Sequence, residues 1–147
     1  MGTRISGYWG IRKMEKAVFI TKTSQLKYVN NGYSRLYYGN EFCERLIPGS
    51  NDLKQVLSYL KKDKLDFSLV TPYVTNYGLK RLKPLFELLK DSGAACEVIV
   101  NDFGVLNLIN REYPNLTPVL GRLLVKQKRC PRLTKLLKRE IRPRLIK

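Results

Sequence analysis

The chain has 147 residues, 44% of them hydrophobic, and its 28 basic residues against 12 acidic ones give a net charge of +16. That length suits one domain with a proper core and excludes two independent ones. Histidine is absent altogether, which excludes Ser-His and Cys-His nucleophiles and most zinc sites. No apolar run approaches the roughly 18 residues of a membrane span, and no apolar stretch precedes a small-residue cleavage site near the start. A cytoplasmic protein is therefore expected. Cys43, Cys96 and Cys130 leave one thiol unpaired under any scheme, the pattern of free cysteines in a reducing compartment. The charge is uneven, with a net +7 over residues 1–64, −1 over 65–121 and +10 over 122–147.

In chain order, residues 1–15 show neither period and contain Gly2, Gly7 and Gly10, so they read as a flexible lead-in. Ala17-Val18-Phe19-Ile20 suits a buried first strand. A polar segment ending in the turn signal Asn30-Asn31-Gly32 precedes a second strand at Arg35 to Tyr38. Pro48 to Asp52 punctuates the chain and offers helix caps. Leu53, Val56, Leu57 and Leu60 then fall at the spacing of one helical face. Asp66 to Val70 is the third strand, stopped by Thr71-Pro72. Leu79, Leu82, Leu85, Phe86 and Leu89 form a second stripe closed by Ser92-Gly93, and Pro84 within it predicts a helix that starts or bends there. Cys96 to Val100 is the fourth strand, and Asn101 or Asp102 caps a helix carrying Val105, Leu108 and Ile109 that Pro114 closes. Thr117 to Leu120 is a fifth strand ended by Gly121.

Short strands alternating with helices predict right-handed βα units and an α/β fold with a parallel sheet. The strand-end turns then converge on one rim, where parallel sheets bind ligands. The candidate rim residues are Gly39, Glu41, Glu44, Arg45, Thr71, Asn101 and Asp102, with Cys43 in their midst. Each has a plain alternative: a solvated loop for Glu41 to Arg45, a strand stop for Thr71-Pro72, a helix N-cap for Asn101-Asp102. Cys43 suits a nucleophile or a metal thiolate. Arg45 would lower its pKa, and Glu41 and Glu44 would raise it. As a metal ligand it stands alone, because Cys96 lies at the start of its strand, on the opposite rim, and Cys130 lies in the basic tail. A cluster needs about four protein ligands.

The runs LYYGNEFCER at Leu36 to Arg45, SLVTPYVTNYG at Ser68 to Gly78 and EVIVNDFGVLNLI at Glu97 to Ile109 resemble the amino-terminal half of peptidase family U thirty-two. This collagenase-like peptidase family also contains UbiU and UbiV. The resemblance covers residues 17 to 133 and implies a TIM-like (β/α) barrel. It further implies kinship with proteases or with partners in oxygen-independent hydroxylation of a quinone precursor or of RNA bases. Several members hold a four-iron four-sulfur cluster on four cysteines. By that likeness Cys43 is one iron-sulfur ligand, falling where UbiV-like members carry the first. The other three come later than this chain extends, so no cluster is expected on this chain alone. A complete barrel takes about 200 residues or more. The expectation is thus a truncated or split member, a partial barrel of about five strands over residues 16–121, completed by a complementary half or a homo-oligomer through its open sheet edge.

From Arg122 the chain is a basic tail in which Leu133, Leu136, Leu137 and Ile141 sit at helical spacing, read first as a structural helix with a basic outer face. The sharper alternative is an RNA-binding module, with Lys126, Lys128, Arg129, Arg132, Lys135, Lys138 and Arg139 on phosphates. A non-catalytic assembly role is the other alternative. Direct proteolysis is not expected, since no nucleophile and base are recognisable as a pair.

Overall fold

The computed structural model describes residues 15–63, 65–93 and 96–125, so all of the lead-in but Glu15 and most of the basic tail lie outside the described residues. Five parallel strands form one sheet in the order β1-β2-β3-β4-β5. They are β1 (Ala17–Ile20), β2 (Arg35–Gly39), β3 (Asp66–Val70), β4 (Glu97–Val100) and β5 (Thr117–Leu120). The helices α1 (Ser50–Asp63), α2 (Asn76–Asp91) and α3 (Phe103–Glu112) connect successive strands from β2 onward, and a one-turn helix α4 (Arg122–Val125) follows β5. Each crossover leads to the next strand without reversal of order. Right-handed connections then keep every helix on one face, the arrangement of a partial (β/α) barrel and not of a doubly wound sheet.

The residue alternation of the strands carries this asymmetry. Leu36, Tyr38, Leu69, Val98 and Val100 point toward the helices and pack with Leu53 and Val56 of α1, Leu82, Leu85, Phe86 and Leu89 of α2, and Val105 and Ile109 of α3. Phe86 meets Tyr113 edge-on, with ring centroids 5.4 Å apart. The intervening residues Phe19, Tyr37 and Ile99 face away from the helices and remain half-buried or exposed. Asp52 accepts a hydrogen bond from the Gly49 N–H at 3.2 Å at the start of α1, and Gly93, at φ +65°, ends the turn after α2.

Two local features depart from the sequence reading. The polar stretch after β1 holds a 3-10 helix at Thr23–Tyr28, and a second 3-10 turn spans Glu44–Leu46. The helix α2 does not start at Pro84, which lies inside it. Pro84 and Lys80, whose carbonyl loses its i+4 donor, are both exposed, so the break in the ladder falls on the solvent side of the helix, where a proline is tolerated.

At the amino-terminal end of the helix-free face, Arg35 binds three carboxylates: Glu15, Glu97 at 2.7 Å and Asp66 at 3.4 Å. It also donates to the Ser68 hydroxyl at 3.0 Å, which itself donates to Glu97 at 3.0 Å. Partial burial opposes the guanidinium charge, but the three acidic neighbours more than offset it, and the pKa is raised. This network ties β2, β3 and β4 together beneath the open face.

Candidate ligand cleft at the strand mouth

At the carboxyl end of β2 the backbone turns at Gly39, with φ +137°. A Cβ there would stand 2.1 Å from the Val70 carbonyl oxygen, so only glycine lets the ends of β2 and β3 close together. The next residue, Asn40, accepts hydrogen bonds through its side-chain oxygen from the N–H groups of Phe42 and Cys43, both at 2.9 Å. That Asx turn folds the loop back and holds Glu41 and Phe42 at the mouth. Glu41 forms an ion pair with Arg122 at 2.5 Å, and the Arg122 guanidinium lies 4.8 Å from the centre of the Phe42 ring.

Arg122 owes its position to a stitched set of strand ends. Asn101 is fully buried; its amide donates to the Thr71 carbonyl at 2.9 Å and its oxygen accepts from the Leu123 N–H at 3.1 Å. Gly121 donates to the Val100 carbonyl at 2.7 Å, and a Cβ on Gly121 would fall 2.2 Å from the Asn101 oxygen. Thr71 donates to the Ile99 carbonyl through both its N–H and its hydroxyl. The ends of β3, β4 and β5 are thereby locked to α4.

Together these elements enclose an open cleft of about 620 Å³. Its floor is Phe19, Tyr37, Val70 and Ile99 from the helix-free face, and its lip is Thr21, Asn40, Glu41, Phe42 and Arg122. An apolar floor beneath a few convergent polar groups is the usual form of a small-ligand site. The lip offers a guanidinium with spare donors, a carboxylate and an amide around one opening.

Of the residues predicted for the rim, Glu41 lines the cleft, and Gly39, Thr71 and Asn101 build its frame. Glu44 instead reaches across to α2, accepting from the Thr75 N–H at 2.8 Å and from its hydroxyl at 2.9 Å. The Thr75 backbone, then its hydroxyl, holds the Glu44 carboxyl below its ordinary value. Asp102 caps α3 through the N–H groups of Gly104 and Val105 at 2.6 and 3.1 Å. Arg45 is exposed and gives its backbone carbonyl to Arg81 at 3.2 Å; neither it nor the half-buried Cys43 lines the cleft. The aromatic floor and Arg122 escaped the sequence reading. Their available signal was the aromatic residue facing away from the helices on each of two adjacent strands, Phe19 and Tyr37.

Among the described residues no group of three or more Cys, His, Asp or Glu side chains is gathered as a metal site. Cys96 lies before β4, at the other end of the sheet from Cys43, where burial pushes its thiol pKa up. Cys130 lies outside the described residues. The seven basic residues assigned to phosphate contact, Lys126 to Arg139, lie outside the described residues. No helix among the described residues is long and apolar enough to cross a membrane. Compared with known proteins, the chain matches no family model, no curated protein and no solved structure.

Proposed function

We propose that this chain is the ligand-binding half of a barrel of the peptidase family U thirty-two type, related to the collagenase-like peptidases and to iron-sulfur proteins of oxygen-independent hydroxylation. It seats a small molecule, apolar in body and polar at one end, with the body on Phe19 and Tyr37 and the polar end against Glu41 and Arg122. The observation that carries this reading is the cleft itself. It opens at the carboxyl ends of five parallel strands, the position at which barrels of this architecture hold their ligands.

Peptide-bond cleavage by this chain alone is no part of the proposal. Among the described residues the Ser68 hydroxyl donates to the carboxylate of Glu97 at 3.0 Å. Ser68 is wholly buried and Glu97 is engaged by Arg35, so the pair has neither access to a substrate nor a free base to activate it. The test joins two assays: incubation with gelatin and fluorogenic peptides, and thermal shift with a library of small carboxylic acids and amides. The expected result is no cleavage above blank, and a set of compounds that raise the Tm of the native chain but not of Arg122→Ala. Cleavage by the purified chain, or stabilisation unaffected by Arg122→Ala, would contradict the proposal.

A further inference from the structure

We infer that Glu41 selects the chemistry of the ligand's polar end: the cleft takes an uncharged carboxamide, with its N–H on Glu41 and its carbonyl on Arg122, and turns away carboxylates and amines. The inference rests on the ligand reading of the cleft and names the class of compound within it. Glu41 and Arg122 both line the cleft, but the Glu41 side chain is 19% exposed and that of Arg122 is 65% exposed. The carboxylate is the more deeply set of the two charges. In spite of the chain's net +16, the lip is therefore less open to anions than its arginine alone suggests.

The pair is joined through one atom of each residue, Nη2 of Arg122 and Oε2 of Glu41. Among the described residues no other hydrogen bond or ion pair reaches Glu41 Oε1 or Arg122 Nε and Nη1, so an acceptor and a set of donors stand side by side at the lip. A carboxamide has the matching arrangement, N–H donors beside a carbonyl acceptor, and carries no charge. A carboxylate can meet Arg122, but it has no donor for Oε1 and sets a second anion against Glu41. An ammonium answers Glu41, but it gives Arg122 no acceptor and sets a second cation beside it. The ion pair has already neutralised the lip, and an added charge of either sign finds no counterion there. Each partner is also held by contacts of its own. The Asx turn at Asn40 fixes the loop beside Glu41, and the Phe42 ring centre lies 4.8 Å from the Arg122 guanidinium. Removing the charge of Glu41 thus leaves Arg122 at the lip and frees it for an anion.

The test is titration of the full chain with three compounds that share one naphthyl body, naphthylacetamide, naphthylacetate and naphthylethylamine, with affinities read from amide NMR shifts at residues 37–42 and 121–123. The native chain is expected to bind the amide at least about tenfold more tightly than the acid or the amine. That preference is measured without any variant. Glu41→Gln keeps the side chain's size and removes its charge; it is expected to bind the acid at least about tenfold more tightly than the native chain does, and the amide no better. Circular dichroism confirms that it folds. An acid or amine that binds the native chain as tightly as the amide, or a folded E41Q that gains nothing for the acid, would overturn this inference and leave the cleft standing, because the compounds still bind there. Absence of saturable shifts from all three compounds would overturn the ligand reading together with it.

Discussion

Gly39 and Val70 touch so closely across β2 and β3 that the carbonyl oxygen of Val70 occupies the space where a side chain at position 39 would begin, 2.1 Å from an ideal Cβ. The contact joins the loop that carries Glu41 to the strand that supplies part of the cleft floor. Gly39→Ala must therefore shift one strand end or force the loop out of its positive-φ conformation. The expected cost is about 3 kcal/mol, read as a lower urea midpoint with an unchanged slope. Stability within about 0.5 kcal/mol of the native chain would show that the mouth is not built this tightly.

Asn101 offers a second test of the frame, because its amide serves a buried carbonyl of one strand end and its oxygen serves the start of α4. Asn101→Ala leaves the Thr71 carbonyl without that donor, at about 2 kcal/mol, and also frees the helix bearing Arg122. Urea unfolding should record the first effect, and loss of ligand-induced Tm increase the second. Asn101→Asp is expected to be worse than alanine at neutral pH, since a buried carboxylate would face the Thr71 carbonyl oxygen.

Alkaline pH probes the helix side of the sheet. Burial pushes both Tyr38 and Tyr113 from 10.0 to about 12, with the Asp52 charge adding to the first and the hydrogen bond to Glu87 adding to the second. The folded state thus keeps two phenols neutral that the unfolded chain ionises near 10. The stability linked to them is complete below pH 10 and lost as pH rises toward 12. Tyr38→Phe and Tyr113→Phe should each flatten the fall in Tm over that window.

Glu44 works in the opposite sense, its carboxyl being lowered by Thr75. Its contribution is present above about pH 4.5, its ordinary value, and is lost as pH falls through the folded pKa. Glu44→Gln should be less stable than the native chain at neutral pH, and the difference should shrink in acid. A difference in unfolding free energy that is constant from pH 7 to pH 3 would contradict this role for the loop-to-helix contact.

Much of the architecture was legible in local pattern. Apolar runs at Ala17 to Ile20, Asp66 to Val70 and Thr117 to Leu120 became strands with those boundaries, because strands and amphipathic helices write different periods into the sequence; the first strand, read as buried, is an outer strand of which only Ile20 is buried. The 3-10 helix at Thr23–Tyr28 was not legible, since its six residues bury one side chain, Leu26, and leave no stripe. The rim loops were rightly gathered at one end, but Glu44 and Asp102 proved to be spent on backbone N–H groups. Arg122 lies 81 positions from Glu41 and Arg35 lies 62 from Glu97. Pairings at such separation are created by the stacking of successive βα units and leave no mark on spacing.

The central claim, a ligand cleft over Phe19 and Tyr37 with Arg122 at its lip, is tested most directly by mapping bound compounds onto the backbone. The measurement is the amide nitrogen-proton NMR spectrum of the full chain, titrated with the compounds that raise its Tm. The account predicts saturable shifts concentrated at residues 19–21, 37–42, 70, 99 and 121–123, abolished by Phe19→Asp in a variant that keeps its native spectrum elsewhere. Shifts centred instead on the opposite end of the sheet or on the outer helix faces, or unchanged by Phe19→Asp, would contradict it.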